Sequence, residues 1–446
     1  MLSRIKALSA DHRRIARGAM RVAFFLLLGK FAGAFKEMAV AYRYGVSAEV
    51  DAYQFTMVMA NWLPVTIIGA LSVVLIPVLV PLRKQSVAER QAFLSELMGL
   101  VLLLGTLLSV ALWLMWPYVL NSMGQGLSSA AKQMSAQLIY AFAPTALLTL
   151  VIGISAARLR AHERHINTLL DSIPAFFILI WVLASPAGSG VMPLLWGTLM
   201  GYAVQSLWLF WLAQRADQVR CRARLGLQAA SWSGLMQAAS IMLIGQVAMS
   251  FVGPIDQYAA AQVGDNANAL LGYATRFISL VLGVGAASVG RAALPVLADV
   301  HSRGDTQQAR RIALRWSLAM VAIGLVIAAV TYGLAPWGVS LLYERGAFTA
   351  ADTAQVSAIL RWGLLQLPFY FGVLILVQLL ASQKRYRLMA LIAVMNFSVK
   401  AAITLSLAPI LGVKGIMLAT AGMYATSFIC YFLVALRPIS PLDQPA

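Results

Sequence analysis

Charge is scarce in this chain. Only 11% of its 446 residues are Asp, Glu, Lys or Arg, against about a quarter in soluble globular proteins, while 61% are hydrophobic. That balance excludes a soluble globular domain and implies an all-α polytopic membrane protein. Cysteine is nearly absent: Cys221 and Cys430 lie far apart, which excludes a disulfide framework or a metal-spaced thiol set and leaves both as packing residues. Histidine is also scarce, and His12, His162, His165 and His301 all fall in segments read below as cytoplasmic. There is no Walker-type phosphate loop and no convincing nucleophile elbow, and helix packing explains Gly283-Val284-Gly285 better than nucleotide binding does. These absences predict a protein that is not an enzyme and needs no cofactor or metal.

Acidic residues are the scarcest charges, 16 against 34 Lys and Arg, for a net charge of +18. A nucleic-acid binder gathers such charge on one folded face or stripe. Here it is dispersed among apolar stretches, so no nucleic-acid partner is expected. Stretches of about 20 apolar residues, enough to cross roughly 30 Å of hydrocarbon as helix, can be placed twelve times: near 18-43, 52-82, 93-118, 131-157, 166-185, 190-214, 233-262, 268-297, 312-341, 354-382, 388-408 and 412-436. Pro64, Pro144, Pro174, Pro254 and Pro368 are the expected kink points. Alternate connections are basic: Arg83, Lys84 and Arg90; Arg158, Arg160 and Arg164; Arg215, Arg220, Arg222 and Arg224; Arg303, Arg310 and Arg311; Lys384, Arg385 and Arg387. The positive-inside rule then places both termini in the cytoplasm. No cleavable signal peptide is expected, because the basic start runs directly into the first span. The predicted organisation is a cytoplasmic tail (1-17), a six-helix lobe (18-214), a cytoplasmic linker (215-232), a second six-helix lobe (233-436) and a second cytoplasmic tail (437-446), with a central cavity between the lobes.

Charges inside spans carry the functional signal, since each costs roughly 2.5-3.5 kcal/mol at a helix centre. Those deep or moderately deep in the spans are Lys30, Lys36, Glu37, Asp171, Asp256, Arg276, Arg291, Arg361 and Lys400. Six of them facing lipid would cost on the order of 15-20 kcal/mol, more than typical fold stability, so most must pair or line a wet cavity. On the first span Gly29, Gly33, Lys36, Glu37 and Val40 share one side, with Lys30 beside it, and the glycines are expected to admit a neighbouring backbone. Lys36 and Glu37 either neutralise charges on other helices or bind a ligand. Structural or headgroup roles are open for Asp171, Lys400 and Arg291. Arg276 suits phosphate, because its planar fork donates two parallel hydrogen bonds.

The most specific motif is Arg345-Gly346-Ala347-Phe348-Thr349-Ala350-Ala351-Asp352-Thr353, which resembles the R-G-x-F-T-x-x-D-T segment of the MurJ/MviN flippase family. Gly272-Tyr273-Ala274-Thr275-Arg276 is similar to that family's eighth-helix Y-A-D-R segment, followed by Gly290, Leu294-Pro295 and Ser302-Arg303-Gly304-Asp305. Ala381-Ser382-Gln383-Lys384-Arg385, Asn396 and Leu411-Gly412-Val413-Lys414-Gly415 resemble the tenth to twelfth helices; Gly33-Ala34-Phe35-Lys36-Glu37 and Asp51-Ala52-Tyr53 resemble the first helix and the start of the second. The resemblance implies a two-lobed helical bundle in the bacterial inner membrane that alternates its opening and moves lipid II, an undecaprenyl-pyrophosphate-linked saccharide, outward. It further implies that Lys30, Lys36 and Arg276 hold pyrophosphate and that Glu37 positions or releases Lys36. Lysine stands at Lys30 and Lys36 where relatives have arginine, the second-helix arginine has no counterpart in Asn61-Trp62-Leu63-Pro64-Val65-Thr66, and the relatives' last two helices have no equivalent.

Outward flipping of such a saccharide, hinged at Pro64 and Pro254, is the leading expectation. Asp51, Asp256, Arg291 and Arg361 are candidates for coupling or gating. The expected partners are the lipid-linked saccharide and membrane lipids, with cell-wall or polysaccharide synthases as candidate neighbours. The alternatives are a flippase for an exopolysaccharide or capsule repeat unit, a multidrug or organic-cation antiporter, and a non-transporting scaffold.

Overall fold

The computed structural model describes residues 28–83, 85–162, 164, 166–219, 221–228, 232, 245–264, 266–283, 306–383 and 385–436. Every regular element among them is helical. Only helices and closed barrels satisfy all their backbone polar groups within hydrocarbon, and these segments lack the alternation of a barrel strand. In chain order the helices are α1 (28–44), α2 (Ala48–Leu82), α3 (Val87–Ser122), α4 (Ser129–Ala161), α5 (Asn167–Leu170), α6 (Ile173–Ala184), α7 (Met192–Asp217), α8 (245–250), α9 (Val252–Val263), α10 (Ala267–Gly283), α11 (Thr306–Tyr343), α12 (Ala350–Gly363), α13 (Leu367–Ser382), α14 (Tyr386–Leu411) and α15 (Val413–Leu436). A 3-10 turn at Leu364–Gln366 joins α12 to α13.

Eight helical stretches among the described residues are long and apolar enough to cross a membrane. On α11 an exposed apolar surface is explicit, formed by Trp316, Leu318, Ile323, Leu325, Val326, Val330 and Trp337. Trp316 and Trp337 are separated by about 31 Å of helix, the thickness of the hydrocarbon core, as expected of aromatic side chains at its two interfaces.

The prolines divide into two groups. Pro64 and Pro144 lie within continuous helices, whereas Pro174 and Pro368 start new ones and Pro254 sits in the first turn of α9, after a break at Phe251. A proline has no N–H to lose in a first turn, so a break just before it costs little. The predicted span at 166-185 is accordingly two helices, separated by a turn at Asp171 and Ser172.

Packing defines two compact units. The first comprises Met1–Val40, Leu63–Met115 and Leu138–Ala238, and the second Ala41–Trp62, Trp116–Gln137 and Ala239–Ala446. In the first, α6 packs on α7 across Gly197 and Gly201, where an added Cβ would lie 2.7 Å from Ile178 Cα and 2.5 Å from Pro174 Cα. This four-residue spacing of glycines brings two helix backbones together where apolar lipid supplies no hydrophobic drive. In the second, α11 packs on α13 and α14 on α15. Ser317 Oγ donates to the Gly372 carbonyl at 2.8 Å, and a Cβ on Gly324 would lie 2.7 Å from Pro368 Cα.

Candidate functional site

Lys30, Lys36 and Glu37 lie on α1, in the first unit. Lys30 is exposed. Lys36 and Glu37 are each only 5% exposed, and Lys36 Nζ meets Glu37 Oε1 at 2.5 Å. The close backbone approach expected at the glycines is not found: a Cβ on Gly29 would make ordinary contact with Ser172 at 3.9 Å, and one on Gly33 would meet nothing within 4 Å. The α1 face carrying the buried pair is therefore open at Gly33.

Arg276 lies on α10 in the second unit. Its Nη2 donates to Gln54 Oε1 at 3.1 Å and contacts Met57 Sδ at 3.8 Å. Gly272, one turn earlier, makes this contact possible, because a Cβ there would lie 2.8 Å from Gln54 Cδ. The amide is neutral, and this contact orients the guanidinium. Asp51 is 1% exposed and its Oδ1 accepts from the Ala269 backbone N–H at 3.1 Å, in the first turn of α10. A carboxylate is favourable there because the first N–H groups of a helix lack internal partners. Thus Asp51 and Gln54, one turn apart on α2, hold the start of α10 and its arginine.

The other predicted residues are placed differently. Asp256 Oδ1 pairs with Lys400 Nζ at 2.6 Å. Arg361 stacks over the Tyr332 ring, 4.8 Å from its centroid, and donates to the Tyr332 carbonyl at 3.2 Å, which ties α12 to α11. Asp171 is exposed and accepts from Gln205 Nε2 at 3.1 Å. Arg291 lies outside the described residues, as do Gly290, Leu294-Pro295 and Ser302-Arg303-Gly304-Asp305.

The motif that is most specific in sequence forms a clasp. Gly346 adopts φ +59°, and a Cβ there would lie 2.3 Å from the Tyr42 carbonyl oxygen. That same carbonyl accepts from Ala347 N at 2.8 Å. Phe348, 2% exposed, packs against Tyr273 and Tyr343, while Thr349 and Asp352 form a reciprocal capping box at the start of α12. Thr353 Oγ1 donates to Glu344 Oε2 at 2.8 Å, and the Tyr273 hydroxyl donates to the Gly45 carbonyl at 2.9 Å.

Two buried polar clusters escaped the sequence reading. Arg158, counted there as a loop charge, is 1% exposed, and its Nε donates to Asp217 Oδ2 at 2.7 Å. His162 Nε2 meets Asp217 Oδ1 at 2.7 Å, and Arg158 Nη2 donates to Cys221 Sγ at 3.4 Å. Glu96, 3% exposed, accepts from the Gln228 backbone N–H and from Trp232 Nε1, fastening the segment after α7 to α3. For Glu96 the available signal was an acidic residue two turns into a helix that is apolar from there on.

A helical bundle with membrane-length spans and charged side chains withdrawn from water defines a polytopic membrane transporter. A family model described as lipid II flippase MurJ matches residues 40–442, and the chain belongs to that family. A probable lipid II flippase MurJ of Synechocystis sp. is 25% identical over 453 residues, covering 97% of this chain and 83% of the relative. A protein of the same description from Bdellovibrio bacteriovorus is 27% identical over 229 residues, covering 50% of this chain and 43% of the relative. Among solved structures, the inward closed conformation of a lipid II flippase MurJ superposes with a TM-score of 0.78 at 20% identity, covering 95% of this chain and 89% of that one. An inward-facing multidrug resistance MATE family transporter of the MOP superfamily gives a TM-score of 0.65 at 15% identity, covering 94% and 97%. Both superpositions establish the fold.

Proposed function

We propose that the chain moves an undecaprenyl-pyrophosphate-linked saccharide of the lipid II type across the bacterial inner membrane by alternating access, with both termini in the cytoplasm. One observation carries this reading: Lys36, on an apolar helix, is withdrawn from water to 5% exposure. Its cost is justified where an anionic ligand uses the charge. Lys30 and Arg276 add positive charge for a pyrophosphate, and the Arg276 fork, oriented by Gln54, suits two phosphate oxygens. Glu37 holds Lys36 in the empty state and yields it when phosphate competes. The relatives described as lipid II flippases support this cargo. In this reading 18-214 and 233-436 rock as two lobes about the 215-232 linker, and cell-wall or polysaccharide synthases receive the product.

Complementation of a strain depleted of its lipid II flippase tests the proposal. Wild type is expected to restore growth, and Lys36→Ala and Arg276→Ala to fail while accumulating normally in the membrane. Rescue by both variants would overturn the site. Failure of the wild type would overturn lipid II as cargo and favour another lipid-linked saccharide.

A further inference from the structure

Lys400 is 0% exposed, at the middle of α14. Its ammonium is met by three oxygens of different chemistry: Asp256 Oδ1 on α9 at 2.6 Å, the Ile416 carbonyl at 3.0 Å and Thr420 Oγ1 at 2.8 Å, the last two on α15. An ammonium has three donors, and these contacts use them all. Asn396 and Thr404 lie one turn to either side on the same buried face of α14. Asn396 Oδ1 and Thr404 Oγ1 are buried without a hydrogen-bond partner among the described residues. The Lys400 ammonium thus sits among oxygens between packed helices, with one carboxylate to balance one positive charge.

A carboxylate, a backbone carbonyl and a hydroxyl form the donor set that hard cations take. A single carboxylate suits a monovalent ion, because a divalent one would leave an uncompensated charge in a buried site. The Asp256 side chain retains 18% exposure, although the Oδ1 that meets the amine is itself buried. We propose that this is a monovalent-cation site whose occupant is covalently tethered: the Lys400 ammonium stands where sodium or potassium would otherwise bind. The chain supplies its own counter-ion to Asp256, and a sodium or potassium gradient does no work at this position. The inference is independent of the transported saccharide.

Thermal unfolding of the purified full chain in detergent tests it, at matched ionic strength in the chlorides of sodium, potassium and N-methyl-D-glucamine. The wild-type midpoint is expected to be the same in all three. Lys400→Ala is expected to unfold earlier in N-methyl-D-glucamine and to recover saturably with sodium or potassium, by about 3 °C at a hundred times the dissociation constant. Lys400→Ala combined with Asp256→Asn is expected to show no such recovery. A saturable response in the wild type would overturn the proposal. So would a folded Lys400→Ala protein with equal midpoints in all three salts, or one that no salt yields as a monodisperse species, since a free ion is required to replace the amine.

Discussion

Lys36 and Glu37 are consecutive residues whose side chains nevertheless pair at 2.5 Å, both almost sealed from water. Neighbours in a helix point about 100° apart, so the usual stabilising pairs lie three or four residues apart. This adjacent pair keeps opposite charges together at one position on the spanning helix. Glu37→Gln leaves the buried ammonium without its carboxylate and is expected to cost about 3–5 kcal/mol, read as a lower thermal midpoint. The exchange Lys36→Glu with Glu37→Lys is expected to regain most of that stability and to stay inactive in complementation. Activity in the exchanged protein would count against phosphate binding at Lys36.

Arg276 and Gln54 act together in the proposed site. Arg276→Lys keeps the charge and loses the fork, so flipping is expected to fall about tenfold, the effect of losing roughly 1.4 kcal/mol of recognition. Gln54→Ala is expected to impair flipping more mildly and to leave the thermal midpoint within about 1 °C, because the hydrogen bond it removes contributes about 1 kcal/mol. The rate at which the saccharide becomes accessible on the outer leaflet distinguishes these outcomes. Equal rates for wild type and Arg276→Lys would show that charge alone suffices.

Gly346 is the sharpest test of the clasp. Gly346→Ala places a methyl group 2.3 Å from the Tyr42 carbonyl oxygen at φ +59°, and is expected to lower stability by about 2–4 kcal/mol. Unfolding in detergent measures the loss. A wild-type midpoint would mean that the loop between α11 and α12 adapts freely. The clasp also predicts that Phe348→Ala destabilises the protein, by about 3–5 kcal/mol, since its ring is buried against Tyr273 and Tyr343.

At the end of α7, Asp217 joins Arg158 and His162 and so encloses Cys221. Burial pushes the Cys221 thiol above its ordinary range, with Arg158 opposing more weakly. The thiolate is the reactive form, so alkylation of Cys221 at neutral pH is expected to be slow in the wild type. Asp217→Asn is expected to cost about 3–5 kcal/mol by stranding Arg158, and to speed alkylation as the cluster opens. Mass spectrometry of alkylated protein reads both rates. Rapid labelling of the wild type would contradict the burial.

The limits of the sequence reading follow from the range of the physics. Hydropathy over about 20 residues predicts spans because crossing a bilayer is a local requirement, and the helices from α2 to α7 and from α11 to α15 lie where the apolar stretches do. The break at Asp171 and Ser172 was half visible, as Pro174 marked it but could equally have kinked a continuous helix. Charge cost singled out Lys36, Glu37, Arg276, Asp256 and Lys400 for the same local reason. It could not separate them by partner. By charge cost alone Arg361 looked no different from Arg276, yet one stacks on Tyr332 and the other is oriented by Gln54.

Sequence by itself determined the membrane class, the helical architecture and the positions where burying a charge demands an explanation, because those follow from composition and spacing along one helix. Its motifs also indicated the family. Tertiary structure alone decided which oxygen meets which nitrogen. Arg158 and Asp217 are 59 residues apart and Arg276 and Gln54 are 222 apart, and no periodicity in a single helix encodes such a meeting. The arrangement depends on which backbones can approach, and at Gly272 that approach requires the absence of a single Cβ.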